Sequence, residues 1–206
     1  HPPAAPRALP APRRVPRLAS MPVSHTQQRL WFLRRMDPHS AAYNIVSAAR
    51  LEGPLDVAVL GRCFDTLVRR HESLRMRFFE SDGAPRCCVE DDVHVSLQQV
   101  DLTAMPAAEA EAEARLVMME LARRPFDLAH APLVRALVVR LAPELAISCF
   151  VLDHIVADGI SVAILFAELQ ALYREAMGGA PAALPPLPLQ FLDHVQWQNE
   201  VFAAGA

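Results

Sequence analysis

The sequence predicts an α/β fold of the α+β kind, a two-layer sandwich in which helices flank a mixed sheet. Helix-like and strand-like hydrophobic patterns alternate along the chain, as they do in folds of this class. The 206 residues, 52% of them hydrophobic, suffice for one full core or two small ones. A continuous apolar run at residues 145–152, bounded by turn residues, is typical of a buried strand.

Four helices are predicted from apolar spacing and capping signals. Ser24 is suited to begin the first, with Gln27 as its capping-box partner. The four helices are expected at residues 24–35, 55–70, 106–124 and 160–177. The last helix is expected to bury four large apolar side chains, those of Ile164, Leu165, Phe166 and Leu169.

Six strands complete the predicted pattern. They are expected at residues 43–51, 75–79, 86–90, 93–100, 133–141 and 145–152. A turn signal at residues 81–83 joins the second strand to the third, and residues 142–144 close a hairpin between the last two. Strands and helices that interleave in this way favour a mixed sheet.

Two segments rich in proline set the predicted domain boundaries. Residues 1–20 are rich in proline and arginine and lack periodicity, which predicts a semi-extended linker. Residues 21–178 are expected to form a lobe with its own core. Two glycines and a proline-rich run then end the last helix, and residues 179–206 are predicted to leave the lobe as a crossing segment.

Composition excludes several classes of function. The net charge of −3 leaves no excess of positive charge for binding polyanions, so nucleic acid is not an expected partner. Neither a signal peptide nor a membrane-length apolar run is found, which predicts a cytoplasmic protein without a membrane partner. The cysteines lack CxxC spacing and are interpreted as reduced core thiols rather than metal ligands. They are Cys63, Cys87, Cys88 and Cys149.

The strongest candidate for a catalytic residue is His154, which follows the apolar run. Asp158 and Gly159 come four and five residues later, in the loop before the next predicted helix. Imidazole transfers protons near neutral pH, and an Asp-Gly turn can fix its surroundings. A loop between a strand and a helix presents its side chains at a sheet edge, where catalytic residues are common. We therefore interpret His154 as a catalytic residue rather than a core histidine.

Residues 153–159 resemble the HHxxxDG motif of nonribosomal peptide synthetase condensation domains. Four other blocks resemble family signatures, and all five occur in family order. Residues 24–33 resemble SxxQxRLWFL, residues 70–78 resemble RHExLRTxF, residues 125–135 resemble PFDL…PLxR, and residues 188–198 resemble PLPxQxxDxxxWQ. The resemblance implies a lobe like chloramphenicol acetyltransferase, the first of two that enclose a tunnel. The chain is expected to lack the second lobe and therefore to be inactive alone.

By resemblance, the function is that of an acyltransferase that joins a donor thioester to an acceptor amine. Both substrates arrive on the phosphopantetheine of carrier proteins, so donor and acceptor carrier proteins and the second lobe are the expected partners. No covalently bound cofactor is expected. The resemblance makes His154 the general base or the hydrogen-bonding orienter of the amine. Two alternatives stay open: an ester-forming acyltransferase with the same HxxxDG residues, and a non-catalytic platform for carrier proteins.

Asp153 stands where the motif has its first histidine. An ionised aspartate accepts hydrogen bonds and donates none, so it cannot replace a neutral imidazole. Asp153 is interpreted as a residue that orients His154 or raises its pKa, or as a sign of a divergent enzyme.

Asp158 is expected to be structural, because a buried carboxylate needs a cationic partner. By resemblance Arg70 and Arg75 occupy sensitive positions, and we expect one of them, preferably Arg75, to pair with Asp158. Gly159 is expected to allow a backbone geometry or close approach that a side chain would block. Trp197 matches a family tryptophan and is expected to pack or to line the tunnel.

Overall fold

The computed structural model describes residues 9–203. Its helices are α1 (His25–Met36), α2 (Val57–Arg70), α3 (Ala107–Arg123), α4 (Gly159–Ala176) and α5 (Phe191–Ala203). Its strands are β1 (Met21–Pro22), β2 (Asn44–Glu52), β3 (Met76–Ser81), β4 (Ala84–Val89), β5 (Leu97–Asp101), β6 (Val134–Ala142) and β7 (Leu145–Asp153). A short 3₁₀ helix, Glu72–Arg75, lies between α2 and β3.

The larger sheet has the strand order β2-β7-β6-β5. Strands β2, β7 and β6 are antiparallel, whereas β5 pairs with β6 in parallel, so the sheet is mixed. A smaller antiparallel sheet has the order β1-β4-β3. The predicted class, an α/β lobe with a mixed sheet flanked by helices, is confirmed.

Strand β7 lies inside the larger sheet, and every residue after its first is buried. Its side chains alternate between two hydrophobic cores, as the period of two in a strand requires. Cys149 and Val151 point into the first core, which includes buried residues of α1, α3 and α5. Phe150 and Leu152 point into the second core, beneath α2 and α4. The larger sheet therefore has helices on both faces.

Local signals explain where the helices begin. At α1 the capping box is complete, with the Ser24 hydroxyl accepting from the Gln27 amide and the Gln27 side chain accepting from the Ser24 amide, both at 3.1 Å. Asp56 caps α2 by accepting from the Val59 amide at 2.9 Å. Both caps satisfy amide donors that a first helical turn leaves free.

Helix α4 differs from its prediction in one respect. Leu169 is buried and Leu165 and Phe166 are half-buried, but Ile164 is 47% exposed. Ile164 lies one turn after Ile160, which is also exposed, on a side of α4 that faces away from the second core. The expectation that Ile164 is buried is therefore wrong, because α4 is apolar on more than one side.

The described part of the segment predicted to cross toward a second lobe packs against the first lobe. After the proline-rich run, α5 packs against β1 and the 3₁₀ helix, and its Leu192 and Val195 are fully buried in the first core. Helix α5 was not predicted. The described part of the segment is therefore continuous with the lobe in packing.

The described part of the predicted linker, from residue 9, contains no helix or strand before β1 but contacts the lobe. Arg17 bonds Asp193 of α5 at 2.7 Å and Glu72 at 2.6 Å, and the Val15 amide donates to Asp193 at 2.9 Å. Residues 1–8 of the predicted linker lie outside the described residues. The described part of this stretch is thus attached to the lobe, mainly through α5.

The four cysteines are free and buried. Burial raises the pKa of the Cys87 thiol to about 12 and that of the Cys149 thiol to about 11, which keeps both protonated and unreactive. In the described part of the chain, no group of three potential ligands is placed to hold a metal ion. None of the helices in residues 9–203 is long and apolar enough to cross a membrane.

Candidate active site

The motif residues occupy the loop between β7 and α4. Strand β7 ends at Asp153 and α4 begins at Gly159, so five residues connect the most buried strand to the helix. The loop borders a cavity of about 290 Å³ that α1, the start of α4 and α5 also line. The lining residues are Ser24, Thr26, Gln27, Leu30, Ser73, His154, Ile155, Val156, Ala157, Asp158, Ser161, Phe191, His194 and Gln198.

His154 is held at two points while its side chain stays exposed. Its amide donates to the Tyr43 carbonyl at 2.9 Å, and its Nδ1 lies 2.9 Å from the Ala157 carbonyl oxygen. A carbonyl oxygen only accepts, so Nδ1 must carry the hydrogen. In the neutral ring Nε2 then carries a free lone pair. The imidazole is thus oriented to accept a proton or hydrogen bond at Nε2.

Asp153 lies just before His154 but bonds to other groups. Its Oδ2 is 2.6 Å from Nη2 of Arg34, and its Oδ1 accepts from the Ile155 amide at 3.0 Å. The Asp153 side chain is 2% exposed and that of Arg34 is 9% exposed. Burial raises the pKa of Asp153 above its ordinary value, although the Ile155 amide and Arg34 oppose this effect. Asp153 is therefore part of a buried ion pair that connects the motif loop to α1.

Helix α1 supports the loop at a second point. The Gln27 side chain, 2% exposed, donates to the Ile155 carbonyl at 3.0 Å. Gln27, Leu30, Trp31 and Arg34 form the buried side of α1, at the spacing expected of one helical face. Arg34 was not predicted as a site residue. A charged residue on this face, one turn after Leu30, was the available signal.

Asp158 has a different role from the predicted one. It is exposed, and its Oδ1 accepts from the Ser161 amide at 2.8 Å and from the Ser161 hydroxyl at 2.6 Å. These two bonds lower its pKa. Asp158 is the N-cap of α4 and makes no ion pair with an arginine among the described residues. The expectation that it is buried and paired with Arg70 or Arg75 is wrong.

The two arginines connect other parts of the lobe. Arg70 bonds Glu168 of α4 at 3.1 and 3.2 Å, and His71 contacts the same carboxylate at 2.7 Å. Arg75 donates to the carbonyls of Val68 at 3.1 Å and Glu90 at 2.6 Å. Arg70 thus joins α2 to α4 and Arg75 joins α2 to the end of β4. Neither lines the cavity at His154.

Gly159 and Trp197 complete the predicted set. A Cβ on Gly159 meets no atom within 4 Å, and its φ is not in the left-handed region, so the described fold gives no reason for glycine there. Trp197 is half-buried, lies with its ring 5.3 Å from that of His194, and donates its indole hydrogen to the Pro10 carbonyl. Its contacts are those of a packing residue, whereas His194 lines the cavity and was missed.

Comparisons with known proteins identify the family of the chain. The profile of the Condensation domain family matches residues 18–204. A linear gramicidin synthase protein of Brevibacillus parabrevis is 43% identical over 186 residues, which cover 90% of this chain and 2% of that protein. Chondramide synthase cmdD of Chondromyces crocatus is 38% identical over 197 residues, or 95% of this chain and 5% of that protein.

Two solved structures show the same fold. The X-domain in complex with OxyB from teicoplanin biosynthesis matches with a TM-score of 0.84 at 27% identity, covering 96% of this chain and 42% of that chain. The first condensation domain of the calcium-dependent antibiotic synthetase, in complex with a substrate analogue, matches with a TM-score of 0.80 at 26% identity, covering 92% and 45%. The chain thus spans less than half of each matched structure. It belongs to the condensation-domain family of the nonribosomal peptide synthetases.

Proposed function

We propose that residues 21–178 are the N-terminal lobe of a condensation domain that forms an amide between a donor thioester and an acceptor amine. The main support for this proposal is the position and hydrogen bonding of His154. Its Nδ1 is bonded to the Ala157 carbonyl, and its ring is exposed beside the cavity at the family motif. Residues 179–206 would lead toward a second lobe, which closes the other side of the site.

The proposed chemistry needs one proton acceptor at a fixed position. The amine nitrogen attacks the thioester carbonyl carbon, a carbon–nitrogen bond forms, and the carbon–sulfur bond breaks. The amine proton passes to Nε2 of His154 and then to the departing sulfur, so atoms and charge balance. A thioester is already activated, so positioning of the two arms together with one proton transfer is sufficient. Nε2 both orients the amine and receives its proton.

Asp153 contributes to this site through the backbone. Its carboxylate bonds the Ile155 amide and Arg34, so the residue that replaces the first motif histidine stabilises the loop that carries His154. We therefore assign Asp153 a positioning role. The oriented ring of His154 favours a catalytic lobe over a non-catalytic platform.

The proposed partners are donor and acceptor carrier proteins, which present the substrates on phosphopantetheine. The chain itself would hold no covalently bound cofactor. The proposed location is the cytoplasm, without a membrane or nucleic acid as partner. Without the second lobe, the site lacks the wall that excludes water and aligns the arms, so this chain alone is expected to form no amide.

The test is a single-turnover assay with loaded carrier proteins. The enzyme is a two-lobe protein that carries this chain as its N-terminal lobe, and amide is measured by mass spectrometry. His154→Ala should lower the rate by about 10²–10⁴-fold, as expected for loss of an acid–base group. His94→Ala is the matched control, because His94 is exposed and contacts only Asp65 and Asp92 by side-chain hydrogen bonds. A near-normal rate with His154→Ala would refute the assignment.

A further inference from the structure

Ser148 interrupts an apolar face of β7. It lies between Ala146 and Phe150, which both point into the second core, and it is 3% exposed. Its Oγ has no hydrogen-bond partner among the described residues. A buried hydroxyl without a partner is unfavourable, and nearly all buried polar groups in proteins have one. The fold therefore retains a group that a bound molecule is suited to satisfy.

Ser148 also borders a cavity of about 550 Å³ between β2, β7 and the second half of α4. The space exists because small side chains face each other across the two strands, where Ala49 pairs with Ser148. Apolar side chains form the walls: Leu51, Leu55, Leu60, Phe166 and Leu169. A cavity of this size, with mostly apolar walls and a few polar groups, is typical of a small-molecule site.

The mouth of the cavity carries a positive charge. Arg174 is exposed there, and within residues 9–203 its side chain forms hydrogen bonds only with Gln170, at 3.4 and 3.5 Å, and no salt bridge. Arg50 and Glu52 also border the mouth, but they alternate with inward-facing residues of β2 and their side chains point to the other face of the sheet. Arg50 is neutralised by Glu111, at 2.6 Å. Arg174 is thus the charge on the cavity side.

We propose that this cavity binds a small carboxylic acid whose apolar body carries a hydroxyl or carbonyl group. The carboxylate lies on Arg174, the body contacts the apolar walls, and the hydroxyl or carbonyl bonds Ser148 Oγ. This site is separate from the one at His154. Five residue steps of extended strand, about 17 Å, separate Ser148 from the end of β7 at Asp153.

The test compares three probes by isothermal titration calorimetry on the full chain: octanoate, 8-hydroxyoctanoate and octan-1-ol. One equivalent of 8-hydroxyoctanoate should bind, about five-fold tighter than octanoate, because only it reaches Ser148 with a hydroxyl. Ser148→Ala should remove that difference. Arg174→Gln should weaken both acids about three-fold and leave octan-1-ol unchanged. Arg69→Gln, a substitution of an exposed arginine on α2, is the matched control and should change none of the affinities.

Two further measurements test the proposal: the melting temperature of Ser148→Ala and the binding of the acids by His154→Ala. Without ligand, Ser148→Ala should melt at the same temperature as the wild type or higher, because it removes an unsatisfied hydroxyl; a lower melting temperature would overturn the proposal. His154→Ala should bind the acids normally, and a loss of binding there would place the ligand in the other cavity. Absence of saturable binding, or equal affinity of the two acids for the wild type, would also overturn it.

Discussion

The Arg34–Asp153 ion pair should be essential to the stability of the lobe, and Arg34→Met tests this. Methionine retains much of the apolar stem while removing the charge that lies 2.6 Å from Asp153. Because the side chains are only 9% and 2% exposed, the remaining carboxylate cannot be rehydrated in place. Leaving one member of a buried pair costs about 3–5 kcal/mol. For a chain of this length that corresponds to a fall in Tm of roughly 6–20 °C.

The loss should depend on pH. In Arg34→Met, Asp153 keeps its hydrogen bond from the Ile155 amide but loses its cation. The effect of burial is then opposed less, so the pKa of Asp153 rises further above its ordinary value. A carboxyl group whose pKa is raised by folding is favourable to the fold when protonated, and that contribution is lost as pH rises through the folded pKa. The variant should therefore be closer to wild type at pH 5 than at pH 8.

The assay is urea denaturation of wild type, Arg34→Met, Asp153→Asn and the double variant at both pH values. The double variant should cost less than the sum of the singles, because it leaves no uncompensated charge. Arg35→Met is the matched control: Arg35 is 57% exposed, pairs with the exposed Glu80, and should contribute less than about 1 kcal/mol. Equal losses for Arg34→Met and Arg35→Met, or additive effects of the two single variants, would show that Arg34 and Asp153 do not form a coupled buried pair.

Three other substitutions give shorter tests. Asp158→Ala should lower the free energy of unfolding by about 1 kcal/mol through loss of the α4 cap. A loss of several kcal/mol in urea denaturation would instead indicate that Asp158 forms a buried ion pair. Gly159→Ala should leave Tm unchanged or higher, since no atom lies near the added Cβ; a clear fall in Tm would reveal a backbone requirement. Burial acts to raise the pKa of Asp193, but Arg17 and the amides of residues 190 and 15 outweigh it and lower the pKa to about 2. The ionised carboxylate therefore contributes about 2 kcal/mol of stability above pH 4, and this contribution is lost as pH falls through about 2. Urea denaturation between pH 2 and 5 should show this slope, and a slope that Arg17→Met does not reduce would contradict it.

Sequence patterns predicted the hairpin and four main helices because these elements depend on local signals. The apolar run before His154 is typical of a buried strand, and the capping box of α1 needs only Ser24 and Gln27. Helix α5 was missed because a proline-rich run precedes it and its few buried side chains are selected by distant elements. Its packing depends on β1 and the 3₁₀ helix, which are too short to predict.

The contacts of the site residues could not be predicted from local sequence patterns. The partner of Asp153 is 119 residues away, and no pattern within either segment specifies the pairing. Motif position alone suggested that Asp158 was the buried carboxylate, but burial depends on whether a residue lies inside β7 or at the start of α4. Asp153 lies at the buried end of the strand and needs a cation, whereas Asp158 is in solvent and needs only the Ser161 donors. The sequence predicted this loop as the site, and the tertiary fold determines which contacts each of its residues makes.

The proposed role of His154 depends on the orientation of its ring, which ¹⁵N NMR of the imidazole in this chain can determine. The spectrum is recorded as pH is raised until the ring is neutral, with His154→Ala used to assign the signals. We expect the tautomer with hydrogen on Nδ1, bonded to the Ala157 carbonyl, and a bare Nε2. A neutral ring with its hydrogen on Nε2 would contradict it, because that nitrogen could not accept the proton of an attacking amine.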